Sequence, residues 1–189
     1  MISNNRNNVL PSLSRLSPLI FLTILLFNCI ISPSYASFYL FIAYVLVIVS
    51  NSIIKNLISK PIYKLLNISS LPILGLGERP NGASSCGFIL DNKIAKSFGM
   101  PSGHSHIAWT VATYIIARLI VRLSSNKTTS KNAVILSIIL VLLSALYISY
   151  SRVYIEGCHT VQQVIVGGLL GILSGFFIYY YEDDIIVIL

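Results

Sequence analysis

Long apolar runs separated by short polar breaks organise this chain. The first extends from Pro18 to Ile31, behind a polar, Asn-rich stretch of residues 1–17 whose charges are Arg6 and Arg15. A second runs from Phe38 to about Ile54. Three more follow, Pro101 to Leu123, Ala133 to Tyr150 and His159 to Tyr181. About 20 helical residues cross the ~30 Å hydrocarbon layer of a bilayer, so runs of this length predict transmembrane helices. Residues 60–74 carry Lys60 and Lys64 and are broken by Pro61 and Pro72, which predicts an interfacial segment. Gly75, Gly77, Pro80, Gly82 and Gly87 make residues 75–100 a loop, and Ser124 to Asn132 is a polar hairpin.

The pattern predicts an all-α, polytopic bundle of four or five spans. The organisation read from it is a disordered N-terminus over 1–17, a first span or signal peptide over 18–36, a membrane-embedded domain over 37–181 and a tail over 182–189. The fork at the first run is real: a basic start, a short apolar stretch and small residues at Ser34 and Ala36 describe a signal peptide as well as a helix. Both readings leave the downstream topology unchanged. The loops 55–100 and 151–158 fall on one membrane face, and the hairpin and C-terminus on the other. Gly167, Gly171 and Gly175 recur every four residues in the last run, a seam that lets a neighbouring helix approach closely.

Composition strengthens the membrane assignment. The chain of 189 residues is 55% hydrophobic and 10% charged, with a mean hydropathy of +0.81; soluble domains carry about 25% charged residues. The net charge of +7 does not point to nucleic acid, because the basic residues flank apolar runs and no basic helix or aromatic platform is present. Three cysteines are too few for a disulfide scaffold. Cys29 lies in an apolar run; Cys86 and Cys158 share a face and are either bonded, if that face is oxidising, or two separate thiols.

Two polar clusters stand out against this background. Pro101-Ser102-Gly103-His104 opens one apolar run, and Ser151-Arg152 precedes His159 at the mouth of another. An ionisable side chain at mid-bilayer costs on the order of 3 kcal/mol, so polar residues near lipid mark sites. Pro suits the first helical position, leaving the amides of Ser102, Gly103 and His104 to face an anion at the helix start. Arg79 and Arg152 offer forked donors matching phosphate oxygens, His159 a nucleophile and His104 an acid. His106 lies about 200° round the helix from His104. The pair is poorly placed to chelate a metal, and His106 reads as an interfacial residue or a headgroup contact. No metal or other cofactor is implied.

Arg79-Pro80, Pro101-Ser102-Gly103-His104 and Ser151-Arg152 with His159 resemble the three signature motifs of the phosphatidic acid phosphatase type 2 superfamily, over roughly residues 38–181. The resemblance implies that His159 becomes phosphohistidine, that His104 protonates the leaving oxygen and that Arg79, Arg152, Ser102 and Gly103 hold the phosphate without a metal. Gly99 to Ser105 with Trp109, Ser151-Arg152-Val153-Tyr154, and His159-Thr160 leading to Gln163-Val164 are similar to dolichyl-diphosphatases, which have Ser in place of Gly103. Three departures stand beside this. The Lys expected seven residues before Arg79 is Pro72, and Lys55 takes that role if residues 62–78 are an insertion. Six residues separate Arg152 from His159 instead of five, with Gly157 the natural place for the extra one. The Asp expected four residues past the nucleophile is Gln163, whose carbonyl can still orient the ring.

The expected function is hydrolysis of a polyprenyl (dolichyl-type) diphosphate in an endomembrane such as the endoplasmic reticulum. The alternatives are a phosphatidic acid phosphatase of broad glycerolipid range and a catalytically dead phospholipid-binding protein. The expected partners are the lipid substrate and the bilayer. The orientation is open: positive-inside bias makes the catalytic face cytosolic, whereas the dolichyl-diphosphatase resemblance makes it lumenal. Two sequons, Asn67-Ile68-Ser69 and Asn126-Lys127-Thr128, fall on opposite faces and report on the choice.

Overall fold

The computed structural model describes residues 9–83, 85, 86, 94, 95, 97–125 and 130–188. The sequon at Asn126 and the cations Arg6, Lys93, Lys96 and Lys127 lie outside them. Five helices long and apolar enough to cross a membrane are present among the described residues, at the upper end of the expected number. They are α1 (Val9–Ile31), α2 (Tyr35–Ile53), α4 (Gly103–Ser125), α5 (Lys131–Tyr150) and α6 (Val161–Ile188), with a short α3 (Lys60–Leu65) after α2. Outward-facing residues such as Phe27, Leu136 and Leu169 are exposed apolar side chains, whereas Ser105, His106, Ser149 and Gln163 are buried. A bundle in lipid gains nothing by hiding leucine and puts its small and polar residues between helices.

Three boundaries differ from the sequence reading. Helix α1 begins at Val9, inside the stretch expected to be disordered, because Arg15 and Ser14 are buried against the rest of the protein. The presumed interfacial segment instead continues α2. A π-helical turn, Ile54–Ser59, joins α2 to α3, and Lys60 N–H donates to the carbonyl five residues back, Lys55. Pro61 follows directly, so the proline sits where the helical bonding has already shifted and does not break the rod. The remainder of that segment turns into a two-stranded antiparallel hairpin, β1 (Ser70–Leu71) with β2 (Gly75–Leu76). At the other end α6 runs on past Tyr181 into the expected tail. Glu182 is buried, accepting from Tyr114 Oη at 3.1 Å and pairing with Arg118 at 3.3 Å.

Ser34 and Ser37 form a reciprocal cap at the start of α2, each hydroxyl accepting the other's backbone N–H. The closest packing is between α4 and α6. A Cβ added at Gly167 would lie 2.5 Å from the carbonyl oxygen of Ser102, and one at Gly175 would lie 2.5 Å from that of Thr110. At Gly171 it would strike the carbonyl of His106. The seam therefore serves packing inside the bundle. On the far side of α4, Ala108 and Ala112 meet Ala145 and Ile148 of α5 around Trp109, and Tyr44, Val47 and Ile107 join α2 to α4.

Candidate active site

The start of α4, the start of α6 and the ends of α2 and α5 meet at one end of the bundle. Arg152 lies in a second π-helical turn, Ser151–Ile155, that ends α5, where Glu156 N–H donates to Ser151 O at 2.8 Å. Such turns widen a helix locally and recur at functional sites; the first of them carries Lys55. Beyond Arg152 the chain reverses at Gly157, which has a left-handed φ of +61°. The reversal brings the N–H groups of Cys158 and His159 onto the Arg152 carbonyl, at 3.0 and 3.2 Å. The spacer of six residues is thus absorbed at the glycine, and His159 is fixed directly to the backbone of Arg152.

His159 is buried, and its Nδ1 lies 2.9 Å from Gln163 Oε1. The amide nitrogen of Gln163 donates to the carbonyls of Leu76 at 2.9 Å and Glu78 at 2.7 Å, so its oxygen must face the ring. Nδ1 therefore carries the proton and Nε2 the lone pair. Arg79 Nη1 lies 3.3 Å from that Nε2 and also donates to Cys158 O at 3.0 Å, while its Nε and Nη2 are held by Ser97. Burial first, then the charge of Arg79, holds His159 well below the usual histidine value; the hydrogen bond to Gln163 opposes this, and Lys55 and His104 add lesser lowering charges. Burial also lowers Arg79. Lys55 therefore lies within electrostatic reach of the nucleophile candidate, despite its distance in sequence from Arg79.

Arg152 is completely buried, yet among the described residues its Nε and Nη1 have no hydrogen-bond partner. The same holds for the hydroxyls of Ser102 and Ser151. Each unmet buried polar group costs about 1–3 kcal/mol, and an anion beside Arg152 would satisfy its two open donors at once. Contrary to the expectation from the sequence, the Ser102 amide does not face an anion, because it donates to the Gln163 carbonyl at 3.0 Å. The helix begins at Gly103 instead of Pro101, and Ser102 offers its hydroxyl. A Cβ on Gly103 would sit 3.0 Å from Asn51 Oδ1, so the neighbour from α2 occupies the room a larger residue would need.

His106 is neither interfacial nor a headgroup contact. It is buried in the bundle, with Nδ1 3.0 Å from Asn51 Nδ2 and Nε2 3.0 Å from Ser174 Oγ. The sequence reading also passed over Ser14, Arg15 and Glu156. The signal at Arg15 is a lone charge at the edge of an apolar run. Glu156 offered another signal, an acidic residue one helical turn from Arg152. His104 Nε2 donates to the Arg15 carbonyl at 2.9 Å. Cys86 and Cys158, left open by the sequence, are joined in a disulfide of S–S 2.09 Å. Glu156 lies beside them, but the bonded sulfurs provide no thiolate for a metal.

A family model described as the PAP2 superfamily matches residues 36–186. No curated protein and no solved structure matches the chain. That family match covers all three motifs, with the flanking Lys55 and Gln163, and four of the five long helices. The chain belongs to the PAP2 superfamily and is, in general terms, an integral membrane lipid phosphatase.

Proposed function

We propose that the protein hydrolyses a polyprenyl diphosphate of the dolichyl type through a phosphohistidine on His159. The observation that carries this reading is the state of the nucleophile candidate: a buried neutral ring whose Nδ1 proton is held by Gln163 and whose Nε2 lone pair lies beside Arg79. Nε2 attacks the terminal phosphorus, and the bond from phosphorus to the bridging oxygen breaks. His104 gives that oxygen a proton, and the lipid monophosphate leaves. His104 then takes a proton from water, whose oxygen attacks the phosphohistidine, releasing inorganic phosphate and restoring neutral His159. Because the Arg15 carbonyl holds the Nε2 proton of His104, the proton in transit travels on Nδ1.

Arg152, Ser102 and Arg79 hold the phosphoryl oxygens, with Gly103 giving access and Lys55 adding positive charge. The unmet donors on Arg152 and Ser102 support this assignment. Arg79 exchanges its contact with Nε2 for a phosphate oxygen as substrate enters. No step requires a divalent ion. The test is phosphate release by detergent-solubilised protein, with dolichyl diphosphate and phosphatidic acid compared side by side in the presence of chelator. Turnover of the diphosphate above phosphatidic acid is expected. Strict dependence on magnesium, or preference for phosphatidic acid, would overturn the corresponding part of the reading.

A further inference from the structure

Helix α1 begins outside the family-matched stretch, yet three contacts tie it to the catalytic groups. The Arg15 carbonyl accepts from His104 Nε2 at 2.9 Å. The Arg15 guanidinium grips Glu156 Oε2 through Nε at 3.2 Å and Nη2 at 3.1 Å. The other oxygen of Glu156 accepts from Arg152 Nη2 at 2.6 Å, and that same Nη2 donates to Ser14 Oγ at 3.1 Å. Ser14, Arg15, Arg152 and Glu156 are all buried. One nitrogen of Arg152 is thus committed to the scaffold, while the two without partners remain for a ligand.

We propose that Arg15, with Ser14 and Glu156, positions Arg152 for phosphate, and that α1 is a permanent part of the enzyme and not a removable leader. The reason is electrostatic. One carboxylate shared between two guanidiniums leaves the group with a net positive charge and holds Arg152 in a single orientation. Without Arg15, the full charge of Glu156 falls on Arg152 and competes with the incoming phosphate. The start of α2 argues the same way, since Ser34 and Ala36, the small residues that resemble a cleavage site, lie within the Ser34–Ser37 cap, and Ser37 is buried.

The inference rests on the phosphatase reading for its ligand, so its test has arms that do not need turnover. Intact-mass analysis of the full-length protein extracted from its membrane should find Ser14 and Arg15 retained. A mature chain starting beyond Ile31 would overturn the proposal. Binding of inorganic phosphate to the solubilised protein should weaken about tenfold or more in Arg15→Ala, with KM raised more than kcat is lowered. Arg15→Ala/Glu156→Gln should recover much of that affinity, because the competing carboxylate is gone; a merely structural role predicts additive damage instead. If Arg15→Ala does not fold, Arg15→Lys carries the comparison, keeping the charge without the fork. Wild-type phosphate affinity in the single variant sinks the proposal. Phosphate binding without turnover of either lipid would refute the reaction proposed above while leaving this comparison valid.

Discussion

His159 shares its Nδ1 proton with an amide oxygen, Gln163 Oε1, 2.9 Å away. The amide suits this place because its other end donates to two carbonyls, Leu76 and Glu78, which a carboxylate could not do. Gln163→Glu keeps an acceptor beside the ring but turns an oxygen toward those carbonyls. A stability loss on the order of 2 kcal/mol is expected, with a fall in kcat. Thermal unfolding and turnover of the variant check it; unchanged values for both would remove Gln163 from the orienting role.

His159→Ala should abolish turnover and leave the protein folded in the membrane. Acid-quenched wild type given substrate labelled in its terminal phosphate should carry label on His159. Label on another residue would displace His159 as nucleophile.

The depressed value of His159 fixes the sign of a pH effect. Its ordinary value is about 6.5. Below that, the unfolded chain takes up a proton that the folded one refuses, so stability falls as pH drops; above it, this group contributes no slope. The limiting slope is about 1.4 kcal/mol per pH unit, lost only once the folded ring itself charges. Denaturation between pH 5 and 8 should show this acid-side loss, and His159→Asn should reduce it. With its value held well below 6.5, the His159 ring is neutral near that pH and imposes no fall in kcat/KM there.

His104→Asn removes the acid while retaining a hydrogen-bonding group. The rate should fall severely for phosphatidic acid, whose alkoxide leaves poorly, and less for a diphosphate, whose phosphate leaves with less help. Equal losses for the two substrates would make His104 a binding group.

The disulfide bears on orientation. Such bonds persist on oxidising faces, and Cys158 adjoins His159, so the catalytic face is expected to be lumenal or extracellular. In sealed vesicles of known sidedness, a membrane-impermeant reductant should reach the bond only from that side. In a secretory membrane, glycan at the exposed Asn67 would agree. Reduction from the cytosolic side alone would reverse the assignment and leave the positive-inside count standing.

The spans and the motif residues were legible because lipid permits few polar positions, so each exception carried meaning. Lys55 lies within electrostatic reach of His159 and Arg79, although twenty-three residues separate it from Arg79 in sequence. The contacts of Arg15 at the site were not legible. Its partner Glu156 is remote in sequence, and a cation before an apolar run reads equally well as a topogenic signal. The same ambiguity hid the beginning of α1. His106 was misplaced because periodicity places it on a different side from His104 without telling what lies there, and what lies there is Asn51 and Ser174. The destination of the Ser102 amide was equally hidden, since a helix start in isolation gives no hint that α6 supplies the Gln163 carbonyl.

The glycine seam has a property of its own. Gly167, Gly171 and Gly175 repeat with the same period as the carbonyls they meet, those of Ser102, His106 and Thr110. A vernier whose two scales match reads the same after one step, and here a step is four residues, or about 6 Å along the axis. Close approach alone is therefore degenerate. The degeneracy is lifted by polar pins: Ser102 N–H on the Gln163 carbonyl, Ser105 Oγ on that of Val164, and His106 against Ser174. Slipping by one notch would preserve the fit of the rods while carrying His104 out of step with His159.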